Sequence, residues 1–547
     1  MPFLPLLVLL AGLTLLISRR RYKAIADRES PRVIVGGHTY SESVGDGQSS
    51  TREGKIESIR SACIIGAGHV GALTAIVLAS QNPHIQFHVV DDDARLITAW
   101  NSDRLPVCEP GLDELVFEKD HHAVASEKPK KQADQEVQIH EPVLCQPRIR
   151  KLRNITFSTN IPGGIAASDI VFLCVDPPLD NSSDDQTPGL DLTNLESAIR
   201  AIVQVSSGHK IIVHRGTGPS GIVPRIKKMI KSLQPQLKKT ASPSASFEVL
   251  SNPEFLVPGT AIRDLLYPVR IIIGHIFSED MSPQALTALK GLYSWIPEDR
   301  IVTMDAWSSE LAKIATSAML AQQTSSIQSL RAICESTNAN ITHIEQTVGA
   351  FSASGFGSNG SSLLRDVGCL VYLARELGLQ EVADYWRAVL RIDAYQTRRL
   401  AQRISDSLPG GTERRDVAIL GFTSSWTTIE IGNTSATRLV RELMSSGVKV
   451  DIYNPHMPKE QIERALGLVS GHLDAVTVVE DLHAACSGCG AVVLHAEWDE
   501  FKEDRLDWEK IAGGMESPKV LCDPHGMLDW QRMEKLGFKV LRPGVNW

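Results

Sequence analysis

Gly66-Ala67-Gly68-His69-Val70-Gly71, with Asp91 twenty places after the last glycine, has the residue types and spacing to hold a dinucleotide. An apolar run from Ser61 to Ile65 leads into Gly66, and a helical pattern follows Gly71, so the glycines fall on a strand–turn–helix. There Gly66 permits a tight turn and Gly68 lets the backbone approach a pyrophosphate. Gly71 lets the helix pack on the strand, with Val70 beside it in the loop. The free N–H groups of the helix start then face the phosphates. Asp91, at the end of the next strand, suits ribose hydroxyls. Asp92 and Asp93 beside it would repel a 2′-phosphate, so NAD is expected rather than NADP. Gly355 to Gly360 repeats the glycine spacing, but no apolar strand precedes it, and it is not read as a second dinucleotide site.

Other reactive residue types read more plainly. Ser361 and Ser362 stand before a helical run, Leu363 to Leu377, which suits an N-cap better than a nucleophile. Glu254 follows Pro253 at a strand end and reads equally as a cap, a partner for a cation, or a chemical group. Lys313 sits on an otherwise apolar helix, where a snorkelling surface lysine is the simpler reading. Ser317 follows four residues later, on the same helix face. Cys369 is expected in the core. Cys486 and Cys489 have CxxC spacing but no second pair, so they read as incidental thiols and no metal site is expected. A net charge of −8 points away from nucleic acid as a partner. The nine scattered cysteines do not form a secreted disulfide framework.

These residues need elements to hold them. Strand-like runs alternate with helical patterns: Ser61–Ile65, Phe87–Val90, Ile170–Cys174, Lys210–Val213 and Phe247–Leu250. That rhythm argues a doubly wound parallel sheet. A charged, aperiodic stretch at about 119–150 reads as a surface insertion. From Trp307 to about Arg403 the apolar residues Leu311, Ile314, Ala315, Ala318 and Met319 recur at helical spacing. Strands resume at Val417–Gly421, Val448–Tyr453 and Ala491–Leu494. The expected fold class is α/β, with two Rossmann-like doubly wound domains joined by a helical connector. Its expected boundaries are 56–305 for the first domain, 306–412 for the connector and 413–547 for the second.

Two further segments precede them. Phe3 to Ile17 is almost purely apolar and is followed at once by Arg19, Arg20, Arg21 and Lys23. A secretory signal has its charges in front, so residues 1–23 read as a signal anchor with the basic side in the cytosol. The polar stretch 24–55 reads as a flexible linker. The expected location is a membrane, the endoplasmic reticulum, with the body cytosolic. Asn-x-Ser/Thr sites at Asn154, Asn340 and Asn433 would then stay bare.

Beyond the glycine loop, several motifs resemble those of one enzyme family. They are Ala99-Trp100-Asn101-Ser102, Glu109-Pro110-Gly111-Leu112, Ser251-Asn252-Pro253-Glu254-Phe255-Leu256, Trp307-Ser308-Ser309-Glu310-Leu311, Asp384-Tyr385-Trp386 and Glu497-Trp498. Over residues 58–118 and 151–547 the chain is similar to the UDP-glucose/GDP-mannose dehydrogenases, and most similar to UDP-glucose 6-dehydrogenases. The resemblance implies NAD as cofactor, a nucleotide sugar as partner, and a homo-oligomer or a hetero-oligomer with a paralogue. It implies two hydride removals from C6 of UDP-glucose, with a thiolate capturing the intermediate aldehyde. The implied site residues are Glu254, Lys313, Ser317 (an asparagine in the family), Thr217 and Asp366. The thiol loop resembles Gly355–Asp366, but Ser362 stands where the family has cysteine. A serine hydroxyl ionises far less readily than a thiol. The sugar side departs further. Ser425, Trp426 and Glu430–Asn433 replace a lysine and an Asp-Thr-Arg-Glu run, Pro258 replaces a glutamate, and Asp523-Pro524-His525-Gly526 replaces Asp-Gly-Arg-Arg. The expected function is a UDP-glucose 6-dehydrogenase with altered or weakened catalysis. The alternative is a catalytically dead, NAD-binding scaffold that serves an active paralogue.

Overall fold

A computed structural model describes residues 59–107, 109–118, 149–175, 179–180, 189–190, 192–216, 218, 220–237, 245–276, 283–337, 339–347, 361–408, 416–422, 434–455, 457, 459–467, 475–541 and 544. The anchor and linker (1–55), most of the insertion (119–148), the loop 348–360 and the replacements at 425–433 lie outside them.

Eight strands form the first sheet: β1 (Ser61–Ile65), β2 (Gln86–Val90), β3 (Ile155–Ser158), β4 (Ile170–Leu173), β5 (His209–His214), β6 (Ser246–Ser251), β7 (Ile271–His275) and β8 (Ile301–Asp305). Their spatial order is β8-β7-β6-β5-β4-β1-β2-β3. All neighbours run parallel except β6 and β7, which pair antiparallel at Ser251 and Gly274. A parallel sheet must be covered on both faces, which explains strands that are apolar throughout. In β1, Ala62 and Ile64 enter one core while Cys63 and Ile65 enter the other.

The second sheet holds β9 (Asp416–Leu420), β10 (Lys449–Tyr453), β11 (Val476–Val479), β12 (Ala491–Leu494), β13 (Val520–Cys522) and β14 (Lys539–Leu541). Its order is β11-β10-β9-β12-β13-β14, all parallel. Val417 and Ile419 face one core, and Ala418 and Leu420 the other. Cys486 and Cys489 are buried in the latter core.

The helices that matter most are α1 (His69–Gln81), α2 (Ile222–Leu237), α3 (Ala306–Glu335), α4 (Ile341–Thr347), α5 (Ser361–Glu376), α6 (Gln380–Ser407) and α7 (Ser435–Ser445). The expected helical connector is therefore present. Helix α3, 30 residues long, extends about 45 Å at 1.5 Å per residue. Ala318 and Ala321 of α3 pack with Val367 of α5 and Val389 of α6. The apolar residues that recur at helical spacing in α3 do not all face inward. Ile314 and Ala318 are buried, but Leu311 and Met319 are 40% and 52% exposed. A helix this long presents more than one apolar stripe, and α5 and α6 cover only one of them. Helix α5 starts at Ser361, so Ser362 lies in its first turn rather than ahead of it.

Among the described residues no helix is long and apolar enough to cross a membrane. The expected anchor lies outside those residues.

Candidate active site

The glycine loop has the geometry its residues foretell. Gly66 takes φ +106°, and a Cβ there would stand 2.5 Å from the carbonyl oxygen of Cys174. A Cβ on Gly71 would stand 2.0 Å from the carbonyl oxygen of Gly66, so only glycine allows α1 this close to the turn. A Cβ on Gly68 would meet nothing within 4 Å, which leaves that side open for a ligand's approach. Val70 is half-buried in the first turn of α1. The loop is braced from outside by Trp100, whose Nε1 donates to the Ala67 carbonyl at 2.9 Å while its ring stacks on Phe157 at 5.2 Å.

Asp91 follows β2. Its Oδ2 accepts the Ala67 N–H at 2.7 Å and its Oδ1 the Asp93 N–H at 2.9 Å. Each oxygen keeps a second lone pair for a ribose hydroxyl. Burial raises the Asp91 pKa against the pull of those two N–H groups. The loop, the helix start and this carboxylate fit a bound dinucleotide.

Glu109, from Glu109-Pro110-Gly111-Leu112, ties this loop to the next part of the site. Its Oε1 lies 2.9 Å from Nε2 of His69 and accepts the Gly259 N–H at 2.8 Å, while Oε2 accepts the Ala261 N–H at 3.2 Å. Residues 259–261 lie two residues beyond Asn252-Pro253-Glu254-Phe255-Leu256.

Asn252 and Glu254 emerge from the end of β6. Asn252 is fully buried, and its Nδ2 donates to the Ile272 carbonyl at 2.8 Å. Its Oδ1 accepts from Arg215 Nη1 and from the Tyr293 hydroxyl, both at 2.6 Å. The guanidinium of Arg215 also donates from Nε to Thr74 of α1 at 3.0 Å. This network joins the cofactor helix to the loop that carries Glu254.

Glu254 and Lys313 form a buried ion pair, with Nζ 2.5 Å from Oε1. The other carboxylate oxygen accepts the Leu256 N–H at 2.7 Å. Lys313 is therefore not a snorkelling surface residue. Helix α3 turns it inward, where an isolated ammonium would be costly without its partner. Burial alone would raise the Glu254 pKa. The Lys313 charge and hydrogen bond, the Leu256 N–H and the Arg215 charge outweigh it, holding the carboxyl below its ordinary range. Asp366 of α5 is also buried and bonded by the Ser317 hydroxyl. Burial raises its pKa, opposed by Lys313 and Ser317 and reinforced by the Glu254 charge. Glu254, the Lys313–Ser317 face of α3 and Asp366, from three separate stretches of chain, thus meet in one largely buried polar centre. Thr217 and the side chain of Ser362 lie outside the described residues. Cys369 is buried, as expected.

Sequence reasoning assigned no role to Arg215, Tyr293, Glu109 or Glu310. For Arg215, its position directly after the apolar strand β5 was the available signal. The Glu310 carboxylate caps α2, accepting N–H groups from Ile222 at 3.1 Å and Val223 at 2.9 Å. Asp523 holds its own turn, accepting from the N–H groups of His525, Gly526 and Leu528. His525 lies 2.9 Å from Glu497 and bonds the His495 carbonyl.

A Rossmann domain with an intact dinucleotide loop, a helical connector carrying a buried lysine–carboxylate centre, and a second Rossmann domain together define a dinucleotide-dependent dehydrogenase architecture. Family models match in the same order. The NAD binding domain of the UDP-glucose/GDP-mannose dehydrogenase family matches residues 60–133 and 124–296, its central domain 307–395 and its UDP binding domain 418–530. The chain belongs to the UDP-glucose/GDP-mannose dehydrogenase family. It is 34% identical over 496 residues to the UDP-glucose 6-dehydrogenase of Caenorhabditis elegans, covering 88% of this chain and 94% of that one. It is 36% identical over 500 residues to the UDP-glucose 6-dehydrogenase of Gallus gallus, covering 88% and 92%. The fold is shared with a UDP-glucose dehydrogenase from Pyrobaculum islandicum, at TM-score 0.66 and 21% identity, covering 91% of this chain and 100% of that one. A UDP-D-ManNAc dehydrogenase from Pyrococcus horikoshii gives TM-score 0.64 at 20% identity, covering 88% and 99%. The cofactor of the first domain is NAD.

Proposed function

We propose that this chain is an NAD-dependent nucleotide-sugar dehydrogenase that oxidises a primary alcohol, C6 of UDP-glucose, to the aldehyde and is impaired in the second oxidation to the acid. The observation that carries this reading is the buried centre of Glu254, Lys313, Ser317 and Asp366 beside an intact glycine loop. NAD, when bound, accepts the hydride. Asp366, whose pKa burial raises, receives the proton of the substrate hydroxyl, while the Lys313 ammonium, paired with Glu254, and Ser317 stabilise the negative charge that develops on that oxygen. Thr217 is assigned a role by the family resemblance alone. Ser362, in the first turn of α5, stands where a thiolate would capture the aldehyde. Its hydroxyl does not form that adduct readily.

The test is incubation with NAD and UDP-glucose in the presence of hydroxylamine. One NADH per substrate, with a trapped aldehyde, is expected. Two NADH and free UDP-glucuronate would overturn the reading. Ser362→Cys is expected to yield at most a trace of acid, because a misplacement of about 1 Å costs on the order of a hundredfold.

The second reading is a dead NAD-binding scaffold that pairs with an active paralogue. It is favoured by the Asp523 turn, where His525 and Gly526 stand in place of the family's two arginines. NAD binding without any NADH would select it.

The body is further proposed to be oligomeric through the exposed apolar stripe of α3. It is attached to the endoplasmic reticulum by residues 2–18 and faces the cytosol. Deleting residues 1–23 is expected to release it from membranes. Asn340 is the reporter of orientation. Asn154 is buried and its amide donates to three carbonyls, so it would not accept a glycan once folded. A glycan on Asn340 would place the body in the lumen.

A further inference from the structure

We propose that a cavity between α3, α6 and the carboxyl ends of β13 and β14 binds a small tetrahedral oxyanion of the phosphate class. The cavity is separate from the centre around Glu254 and does not rest on the function proposed above. Its cationic wall is built by helical spacing. Arg331 and Glu335 of α3, and Arg399 and Arg403 of α6, all line it. Gln328, Arg331 and Glu335 stand at i, i+3 and i+7; Gln396, Arg399 and Arg403 repeat the pattern, so each set shares one helix face. The opposite wall is Cys522 at the end of β13, Leu541 at the end of β14, and Pro524. Carboxyl ends of parallel strands are where doubly wound sheets place ligands.

Three guanidiniums line this space and one carboxylate does, that of Glu335. That carboxylate is already engaged, by Arg399 Nε at 2.8 Å, Arg403 Nη1 at 2.7 Å and the Gly544 N–H at 2.9 Å. Arg331 points its Nη2 to Glu345 at 3.2 Å, which leaves its Nε buried with no partner. The side-chain oxygen of the buried Gln328 is also unpartnered. A half-turn of that amide would present N–H groups instead. Buried donors call for an acceptor, and the planar guanidinium fork matches oxyanions. The cavity measures about 30 Å³, enough for roughly two waters or one small ion and too little for a sugar phosphate. The ligand is thus free inorganic phosphate or its like, not the phosphate of a larger ester. Bound there, it would join the helical connector to the second sheet next to the Asp523 turn.

The experiment is calorimetric titration of the full chain, saturated with NAD, with inorganic phosphate at ionic strength held constant by chloride. One saturable site is expected, and Arg331→Gln should weaken it by about tenfold or more while NAD affinity stays unchanged. Cys522→Met, which fills the cavity without altering its charges, should abolish binding and keeps the test open if the arginine variant misfolds. Glucose 1-phosphate should not compete. The absence of saturable binding, or equal affinity in folded Arg331→Gln or Cys522→Met, would overturn the site. Competition by glucose 1-phosphate would overturn the assignment to a small free ion.

Discussion

The two sheets build the same turn but equip it differently. After β1, Gly66 takes φ +106°, its N–H donates to Val90 at 2.9 Å, and Asp91 receives the Ala67 N–H at 2.7 Å. After β9, Gly421 takes φ +84°, its N–H donates to Tyr453 at 2.8 Å, and Asn454 receives the Phe422 N–H at 3.0 Å. The strand orders correspond as well: β3-β2-β1-β4-β5-β6 in one, β11-β10-β9-β12-β13-β14 in the other. The first loop adds Gly68, with open space beyond it, and Gly71, pressed against the turn. The second continues as Phe422-Thr423-Ser424, without those glycines, and exchanges the aspartate for asparagine. A left-handed glycine and a side-chain acceptor are thus what the doubly wound fold itself needs. The open glycine, the close-packed glycine and the charge are what a dinucleotide adds.

The largest effect should come from the polar centre beside the first loop. Lys313→Met leaves Glu254 buried without its cation and should cost about 3–5 kcal/mol in urea unfolding, with NADH production lost. The double variant Glu254→Gln/Lys313→Met should recover part of that stability but no activity. Next comes Gly71→Ala, which forces the turn and α1 apart. About 3 kcal/mol and loss of NAD binding are expected, whereas Gly421→Ala should unfold the second domain more easily and leave NAD affinity of the folded protein unchanged. If both glycine variants lose NAD equally, the division of labour between the loops is wrong.

A smaller effect tests the charge difference. Asp91→Ala should weaken NAD binding about tenfold, as lost ribose contacts worth about 1.4 kcal/mol would do. Asn454→Ala should cost about 1 kcal/mol of stability and nothing in NAD affinity, both read by titration and denaturant curves. NADP preferred over NAD by the unaltered chain would also count against Asp91.

The smallest effect is a pH dependence that separates two carboxyls of one site. The Glu254 pKa is held low in the fold, so its contribution is present above the ordinary carboxylate range and is lost as pH falls through the folded value. The Asp366 pKa is raised, so its contribution has the opposite sign and declines as pH rises through the folded value. Unfolding curves from about pH 3 to about pH 8 should therefore lose acid sensitivity in Glu254→Gln, and lose the decline at higher pH in Asp366→Asn. Identical profiles in the two variants would refute the assignment.

Much of this was legible in the chain. Local rules sufficed for the glycine loop and for strands such as Ala491–Leu494, because backbone conformation and alternation of side chains between two faces act over a few residues. The same rules put Lys313 and Ser317 on one face of α3. Helical spacing could not say which face. Leu311 and Met319 recur with Ile314 at that spacing, yet Ile314 is buried and the other two stay exposed. Nor could spacing tell a snorkelling Lys313 from a buried one, because the answer is Glu254, 59 residues away. The short strands β3, β11, β13 and β14 show little periodicity, and their neighbours in the sheet complete their definition.

The sequence by itself determined the fold class, the cofactor loop and the choice of NAD, since each rests on residues adjacent in the chain or one strand apart. Only the tertiary structure decided that Glu254, Lys313, Ser317 and Asp366 form one centre. It also decided that Arg215 and Glu109 fasten that centre to the cofactor helix. Those contacts join positions from α1, the ends of β5 and β6, α3 and α5. What brings them together is burial. Charges removed from water must find partners, and the partners available are whichever side chains the packing of helices against the sheet delivers.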